Sequence, residues 1–302
     1  MKRVVITGAS GFIGRSASLL FSRYGIKILA VDVFDRPPAE FASTDIEYLS
    51  CDVGKSNELK CAMMQFGADT ILSLAWVGTE PSKRNDRSLQ RVNIENTMHT
   101  LSVAAECGVR RFIGVGSARE IEYEYALTTG SALPDDCYGE AKYETHKSCM
   151  LEAQNAGIEC IWAIITNAYG PSCPENRLVP YLLEHFTSGR SPILTSCEQY
   201  YDLIFVEDVA RALFLLGENG KPGKTYLIGS GEYRRLKDYV REIAKAAGYS
   251  GEILFGARDF TGVYVPASAF TTSEIEKDCG FKPRVSLAEG IEAEIKSMAG
   301  ND

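Results

Sequence analysis

Several residue types are scarce or poorly placed for particular functions. The chain has three histidines and two tryptophans in 302 residues. Its nine cysteines form no C-x-x-C pair and no His/Cys cluster at zinc spacing, which argues against a structural metal site. Odd in number and evenly scattered, they read as reduced thiols of a cytoplasmic protein rather than a disulfide framework. Basic charge is short as well: 32 Lys and Arg against 40 Asp and Glu leave a net charge of −8. That balance argues against non-specific binding to nucleic acid or an anionic membrane, while a locally positive pocket for an anionic substrate stays compatible with it. No apolar run reaches the ~18 residues that cross a bilayer. There is no low-complexity tract and no internal repeat, and the chain enters a strand by residue 3, so no signal peptide is expected.

The opening stretch is informative. Val4, Val5 and Ile6 form a short β-branched run, followed by Thr7-Gly8-Ala9-Ser10-Gly11-Phe12-Ile13-Gly14. From Ser16 to Tyr24 the pattern is helical, with Ala17, Leu20, Phe21 and Tyr24 on one face. Strand, glycine turn and helix make a dinucleotide site: the glycines let the backbone approach a pyrophosphate, which then meets the free N–H groups of a helix N-terminus. The spacing is G-x-x-G-x-x-G rather than G-x-G-x-x-G. A purely structural turn is the alternative for the glycines taken alone.

The alternation continues. Apolar runs at 27–31, 46–49, 70–74, 111–115 and 159–165 read as strands, and 55–66, 88–107 and 138–156 as helices. Strands alternating with helices imply βαβ units and a parallel sheet buried on both faces, a Rossmann-type doubly wound α/β fold. After Asn167 the texture changes, with Gly170-Pro171 and Cys173-Pro174 breaking the pattern. Helical patterns follow at 178–188, 206–216, 236–247 and 286–298, with a strand at 224–228 and a loop-rich stretch at 251–269. The expected organisation is a dinucleotide-binding domain over 1–167, to which 202–230 returns, and a small, mainly substrate-binding lobe over 168–302. Gly8, Asp32, Asp52, Ala75, Ser117 and Asn167 each follow an expected strand, and ligands of open α/β sheets sit beyond those carboxyl ends.

Asp32 lies about twenty residues beyond the turn, where a carboxylate accepts hydrogen bonds from the adenosine ribose and repels a 2′-phosphate. NAD is favoured over NADP on that ground; Arg36 keeps NADP open, and a turn-forming Asp is the alternative. Tyr138 and Lys142, four apart, share a helix face. A free phenol has a pKa of about 10, so a neighbouring ammonium and a cationic nicotinamide are expected to bring it down into acid/base range. Ser117 would orient the same substrate oxygen. On an isolated helix a Tyr-x-x-x-Lys pair reads as a solvated face; the strand-end serine and the glycine turn reverse that reading. Cys137 reads as packing, His99, His146 and His185 as structural, and Tyr123, Tyr125, Tyr200 and Tyr201 as loop aromatics that line the cleft or cover the core.

Taken together, TGASGFIG (7–14), CDV (51–53), LAW (74–76), VNIENT (92–97), GVGS (114–117), YGEAK (138–142), ITNAYGP (165–171) and DLIFVEDVARAL (202–213) make the chain resemble an extended short-chain dehydrogenase/reductase. It most resembles the NAD-dependent epimerase/dehydratase branch acting on nucleotide sugars. The resemblance implies that Gly8, Gly11 and Gly14, with the backbone of Phe12 and Ile13, hold the pyrophosphate. It further implies that Asp52 and Val53 flank the adenine, Ala75 lines the nicotinamide side, and Tyr138 and Lys142 contact the nicotinamide end, Lys142 through the ribose. Asn167 would lie near the substrate diphosphate, with Arg258 as its basic partner. Trp76 would narrow the sugar pocket or pack. Helices 88–107 and 138–156 would form a homodimer interface.

Departures narrow the reading. Ala118 and Arg119 stand where 4,6-dehydratases of this branch carry Asp and Glu, so the expectation is against dehydration. The Ser117-x-x-Glu120 form resembles a subgroup holding 4-keto-sugar reductases. Tyr201 replaces an arginine that helps bind the diphosphate. The resemblance therefore implies an NAD(P)-dependent nucleotide-sugar oxidoreductase or epimerase, with a 4-keto-sugar reductase as one alternative. A non-catalytic dinucleotide-binding redox sensor is the alternative of another class.

Overall fold

The computed structural model describes residues 1–134 and 137–299. In chain order it runs β1 (Arg3–Thr7), α1 (Phe12–Arg23), β2 (Lys27–Asp32), β3 (Glu47–Ser50), α2 (Ser56–Phe66), β4 (Thr70–Ser73), α3 (Arg87–Glu106), β5 (Arg111–Ser117), α4 (Ala118–Thr129), α5 (Cys137–Ala156) and β6 (Glu159–Ile165). Then follow β7 (Asn167–Tyr169), α6 (Leu178–Thr187), β8 (Tyr200–Tyr201), β9 (Leu203–Phe205), α7 (Val206–Asn219), β10 (Thr225–Ile228), β11 (Arg234–Arg235), α8 (Leu236–Ala246), α9 (Ser273–Cys279) and α10 (Leu287–Ala299).

The main sheet has seven strands in the order β10-β6-β5-β4-β1-β2-β3, paired in parallel. Its strands are near-continuous apolar runs because both faces are covered. Alternation inside β1 shows this: Val4 and Ile6 pack with Ala17 and Phe21 of α1 and Leu213 of α7, while Val5 packs with Leu59 of α2 and Leu101 of α3 on the opposite face. Each such buried aliphatic side chain contributes ~1.5–3 kcal/mol relative to exposure. The strand order reverses between β1 and β4, which places the ligand crevice beyond the carboxyl ends of those two strands.

Residues 206–228 are built into this layer. β10 pairs with β6, Tyr226 opposite Ala163, and α7 packs on α1 with the Phe214 ring edge-on to Phe21 and Tyr24. α6, α8 and α10 gather a separate core of Leu182, Leu183, Phe186, Tyr239, Ile243 and Ile291. The seam between the two is the parallel pair β7/β9 and the buried Asp202, whose carboxylate accepts the Ser230 and Gly231 N–H groups at 2.8 and 3.0 Å. A buried carboxylate is tolerated when backbone donors satisfy it. Residues 300–302 of the expected lobe lie outside the described residues.

One expectation needs correction. The four tyrosines read as loop aromatics are not in loops: Tyr200 and Tyr201 form β8, paired with β11, and Tyr123 and Tyr125 lie on α4, which begins with a capping box at Ser117 and Glu120 and ends at Gly130 with a φ of 68°. The Ser-x-x-Glu spacing and the closing glycine are the signals that mark this helix. Among the described residues no helix is long and apolar enough to cross a membrane.

Candidate active site

The crevice begins at the glycine turn. Gly11 caps α1 without a side-chain hydrogen bond, and the first turn of that helix carries no acidic residue. The N-terminal N–H groups and the positive end of the helix dipole therefore face an anion without competition from a carboxylate on their own helix. The turn is tight: Gly11 N–H donates to Gly8 O at 3.1 Å, and a Cβ on Gly14 would lie 2.1 Å from the same oxygen. Gly8, at a φ of 68°, lies so close to Ala75 that a Cβ would meet its nitrogen at 2.8 Å. This cradle, which a side chain would fill, fits a pyrophosphate, with Phe12 and Ile13 as the first helical residues beside it.

Asp32, at the end of β2, accepts Ser10 N–H through Oδ2 and Val33 N–H through Oδ1, both at 2.8 Å. It thus orders the turn, and its remaining lone pairs stay available to hydroxyl donors. A cleft of about 550 Å³ opens beside it, lined by Ser10, Arg15, Phe34 and Arg36. Farther along the same rim, Asp52 Oδ1 accepts Gly54 N–H at 3.0 Å and Val53 is buried.

At the other end, Ser117 is both the last residue of β5 and the N-cap of α4. Its side chain hydrogen-bonds Tyr138, a buried residue of the first turn of α5. Lys142, one turn on, is buried beside them. Its Nζ donates to Val115 O at 2.8 Å and lies 3.7 Å from the centroid of the Trp76 ring. Trp76 is fixed in turn: its Nε1 donates to Gln90 Oε1 at 2.9 Å and its ring stands edge-on to Tyr138 at 6.0 Å. Alone on an exposed helix these residues would do nothing; the strand-end serine and the tryptophan bring them into one buried cluster.

The electrostatics differ from the expectation of a phenol lowered by Lys142. Burial raises the Tyr138 pKa, offset in part by the Ser117 hydrogen bond and the Arg84 and Arg177 charges. The Lys142 ammonium is turned to Val115 O and Trp76, 6.0 Å from the Tyr138 ring centroid. Burial also brings the Lys142 pKa down to about 7, against the opposing charge of Glu120. The phenol is therefore held in its protonated form in this state.

Sequence reasoning did not find Arg84 and Arg177. Arg84 lies over the Tyr138 ring at 5.6 Å with its Nε donating to Thr79 O, and Arg177 donates to Thr79 Oγ1 at 2.8 Å. Both, with Arg119, act against the burial that raises the Tyr201 pKa. Neither stands in a local pattern: one follows β4 in a loop and the other caps α6, so only the fold brings them together. Arg258 is exposed on the late loop, its backbone N–H donating to Leu194 O. Asn167 directs its amide to Asp202 O at 3.0 Å, within the seam. His146, read as structural, is buried behind the cluster with its Nδ1 3.2 Å from Glu120 Oε2.

A family model described as the NAD dependent epimerase/dehydratase family matches residues 4–229. CDP-abequose synthase of Salmonella typhimurium is 23% identical over 309 residues, covering 98% of this chain and 98% of that protein. A trifunctional UDP-glucose 4,6-dehydratase/UDP-4-keto-6-deoxy-D-glucose 3,5-epimerase/UDP-4-keto-L-rhamnose-reductase of Arabidopsis thaliana is 26% identical over 268 residues. The match covers 83% of this chain and 40% of that protein, so the chain spans well under half the length of this relative. Among solved structures, UDP-glucose 4-epimerase of Thermus thermophilus in complex with NAD superposes with a TM-score of 0.82 at 19% identity, over 99% of this chain and 100% of that one. At that identity the likeness speaks for the fold.

Proposed function

Because the chain belongs to the NAD dependent epimerase/dehydratase family, we propose that it reduces or epimerises a nucleotide-linked sugar, with Tyr138 as the acid/base. The observation that carries this reading is the buried Ser117–Tyr138 hydrogen bond with Lys142 one helical turn away. Bound NAD supplies the hydride donor and acceptor. The cradle at Gly8 and Gly14 takes its phosphates, Asp32 its adenosine ribose, and Lys142 the ribose at the reacting end. Tyr138 gives its phenolic proton to the sugar oxygen as the keto carbon is reduced, and takes it back in the oxidative direction. Ser117 steadies that oxygen. Arg84 and Arg177 then stabilise the phenolate left behind.

Ala118 and Arg119 supply neither the acid nor the carboxylate base of a β-elimination, which supports reduction or epimerisation over dehydration. The Arabidopsis relative has a dehydratase activity in its name, so this distinction rests on those two side chains. α3 and α5 pack on each other and present Val92 and Leu151, 48% and 61% exposed, on their outer faces; they support a homodimer across this pair. The nine free thiols support a reducing, cytoplasmic setting.

The test is turnover on a panel of nucleotide sugars and their 4-keto forms. Tyr138→Phe is expected to lose at least ~100-fold in turnover, the usual worth of a positioned acid/base, while binding NAD within about threefold. Full activity in that variant refutes the mechanism. Wild-type protein that binds NAD yet turns over no member of the panel favours the sensor reading. Release of water from a 4,6-substrate would establish dehydration instead. Mass spectrometry of the cofactor released on denaturation separates the two preferred reactions: retained NAD favours epimerisation, an empty site favours reduction.

A further inference from the structure

Glu120 is 1% exposed, an unusual place for a carboxylate. Its role as the N3 partner of a capping box accounts for one of its oxygens: Oε1 accepts the Ser117 N–H at 2.8 Å. Capping boxes do not need burial, and the second oxygen does something further. Oε2 accepts the Trp162 Nε1–H at 3.0 Å and lies 3.2 Å from His146 Nδ1. The His146 ring stacks flat on Trp162, centroids 4.9 Å apart, and its Nε2 is 2.8 Å from Thr225 Oγ1. Residues from α5 and β6 thus meet the carboxylate of α4 beside β5, and Thr225 of β10 holds the far nitrogen of His146. The strand is shaped to admit it: a Cβ on Gly116 would lie 2.1 Å from Glu120 Oε1 and 2.5 Å from Trp162 Nε1.

Burying a carboxylate is costly unless it is compensated, and an apolar side chain in this space would stabilise the fold as well or better. The neighbouring turn of α5 explains the arrangement, because Lys142 lies one turn before His146 on that helix. Ser117 is the last residue of β5, and Lys142 bonds the carbonyl of Val115. The groups facing Lys142 are Tyr138, His146 and Cys149 on its own helix, the Trp76 ring, the Val115 carbonyl and the Glu120 carboxylate. Among the charged and titratable groups that favour its ammonium form, Glu120 has the largest effect. We propose that Glu120 is a positioning residue: its carboxylate fixes the backbone of Ser117 and supplies a buried negative charge that favours the ammonium form of Lys142.

This rests on Ser117, Tyr138 and Lys142 being the reacting set, and the experiment separates the two. Protein grown with [ε-13C]lysine and saturated with NAD is titrated by NMR, the Lys142 signal being identified by its loss in Lys142→Met. Glu120→Gln removes the charge and keeps one acceptor oxygen, so one of the Ser117 and Trp162 donors gives up its bond. It is expected to lower the Lys142 midpoint by about one unit, a tenfold change in the ammonium-to-amine ratio. In the pH profile of turnover the same shift costs up to about tenfold on the alkaline side of the midpoint and little on the acid side, since the ammonium is lost from the alkaline side. A purely structural role would lower the melting temperature and leave both midpoints in place. If Glu120→Gln does not fold, Glu120→Asp carries the test: the charge stays but withdraws by one methylene, and the midpoint moves down by a smaller, measurable amount. An unchanged Lys142 midpoint in whichever variant folds overturns the proposal. Full turnover by Tyr138→Phe removes the reacting set instead and leaves the Lys142 titration to report on Glu120 alone.

Discussion

The ammonium of Lys142 sits 3.7 Å from the centroid of the Trp76 ring, on the face of the indole. A cation held there away from water gains ~2 kcal/mol, more than at an exposed site. Trp76→Leu is therefore expected to loosen Lys142 and, through the ribose proposed for it, to weaken NAD binding about tenfold, read by calorimetry. Trp76→Phe, which keeps a ring face but loses the bond to Gln90, is expected to fall between. Equal NAD affinity in all three proteins would show that Trp76 only fills space.

Lys142 is a liability to the empty protein. Its folded pKa of about 7 lies below the unfolded value of 10.5, so between those limits the unfolded chain binds more protons. The penalty is fully present below pH 7 and fades as pH rises to 10.5. Lys142→Met is expected to raise stability to urea at pH 6.5, with an upper limit of about 5 kcal/mol, and to leave it nearly unchanged at pH 10.5. The same variant is expected to lose turnover. A gain of equal size at both pH values would mean that packing, not charge, is responsible.

The glycine turn offers a sharper test of the cofactor cradle. Gly14→Ala places a methyl 2.1 Å from Gly8 O, so the turn must open. Overpacking of this kind costs ~1–3 kcal/mol. NAD binding should drop beyond detection at 1 mM while the circular dichroism spectrum is retained. Unaltered affinity would place the pyrophosphate elsewhere.

What could be read from the chain, and what could not, follows from how far apart the interacting residues lie. β1, the glycine turn and α1 are one local pattern, and each apolar run of the sheet carries its own signal because burial on both faces demands it. Ser117, Tyr138 and Lys142 were legible as candidates because a strand end and an i, i+4 pair are local as well. α4 was not, although its capping box and Gly130 lie in plain sight, because its tyrosines and glutamates give no clean apolar stripe. Arg84 and Arg177 approach Tyr138 from segments 93 residues apart, and Glu120 meets His146 and Trp162, with Thr225 on the far nitrogen of His146, only after four elements have packed. Long-range convergence of polar groups leaves no periodicity to find.

Glu294 gives a last prediction, in the C-terminal helix. It is 3% exposed; the Gly170 N–H donates to its carboxyl, while its Oε2 has no hydrogen-bond partner among the described residues. Burial raises its pKa from 4.5 to about 7. Here the folded protein binds the extra proton between those values, so stability is greatest below pH 4.5, declines as pH rises and is lost above pH 7. Glu294→Gln keeps a carbonyl for Gly170 and removes the charge. It is expected to stabilise the protein at pH 8, by about 3 kcal/mol at most, and to have little effect near pH 4.5. Urea titrations of both proteins at the two pH values measure this; the opposite order would mean that the carboxylate is paired in solution and that α10 docks against Gly170 through its charge.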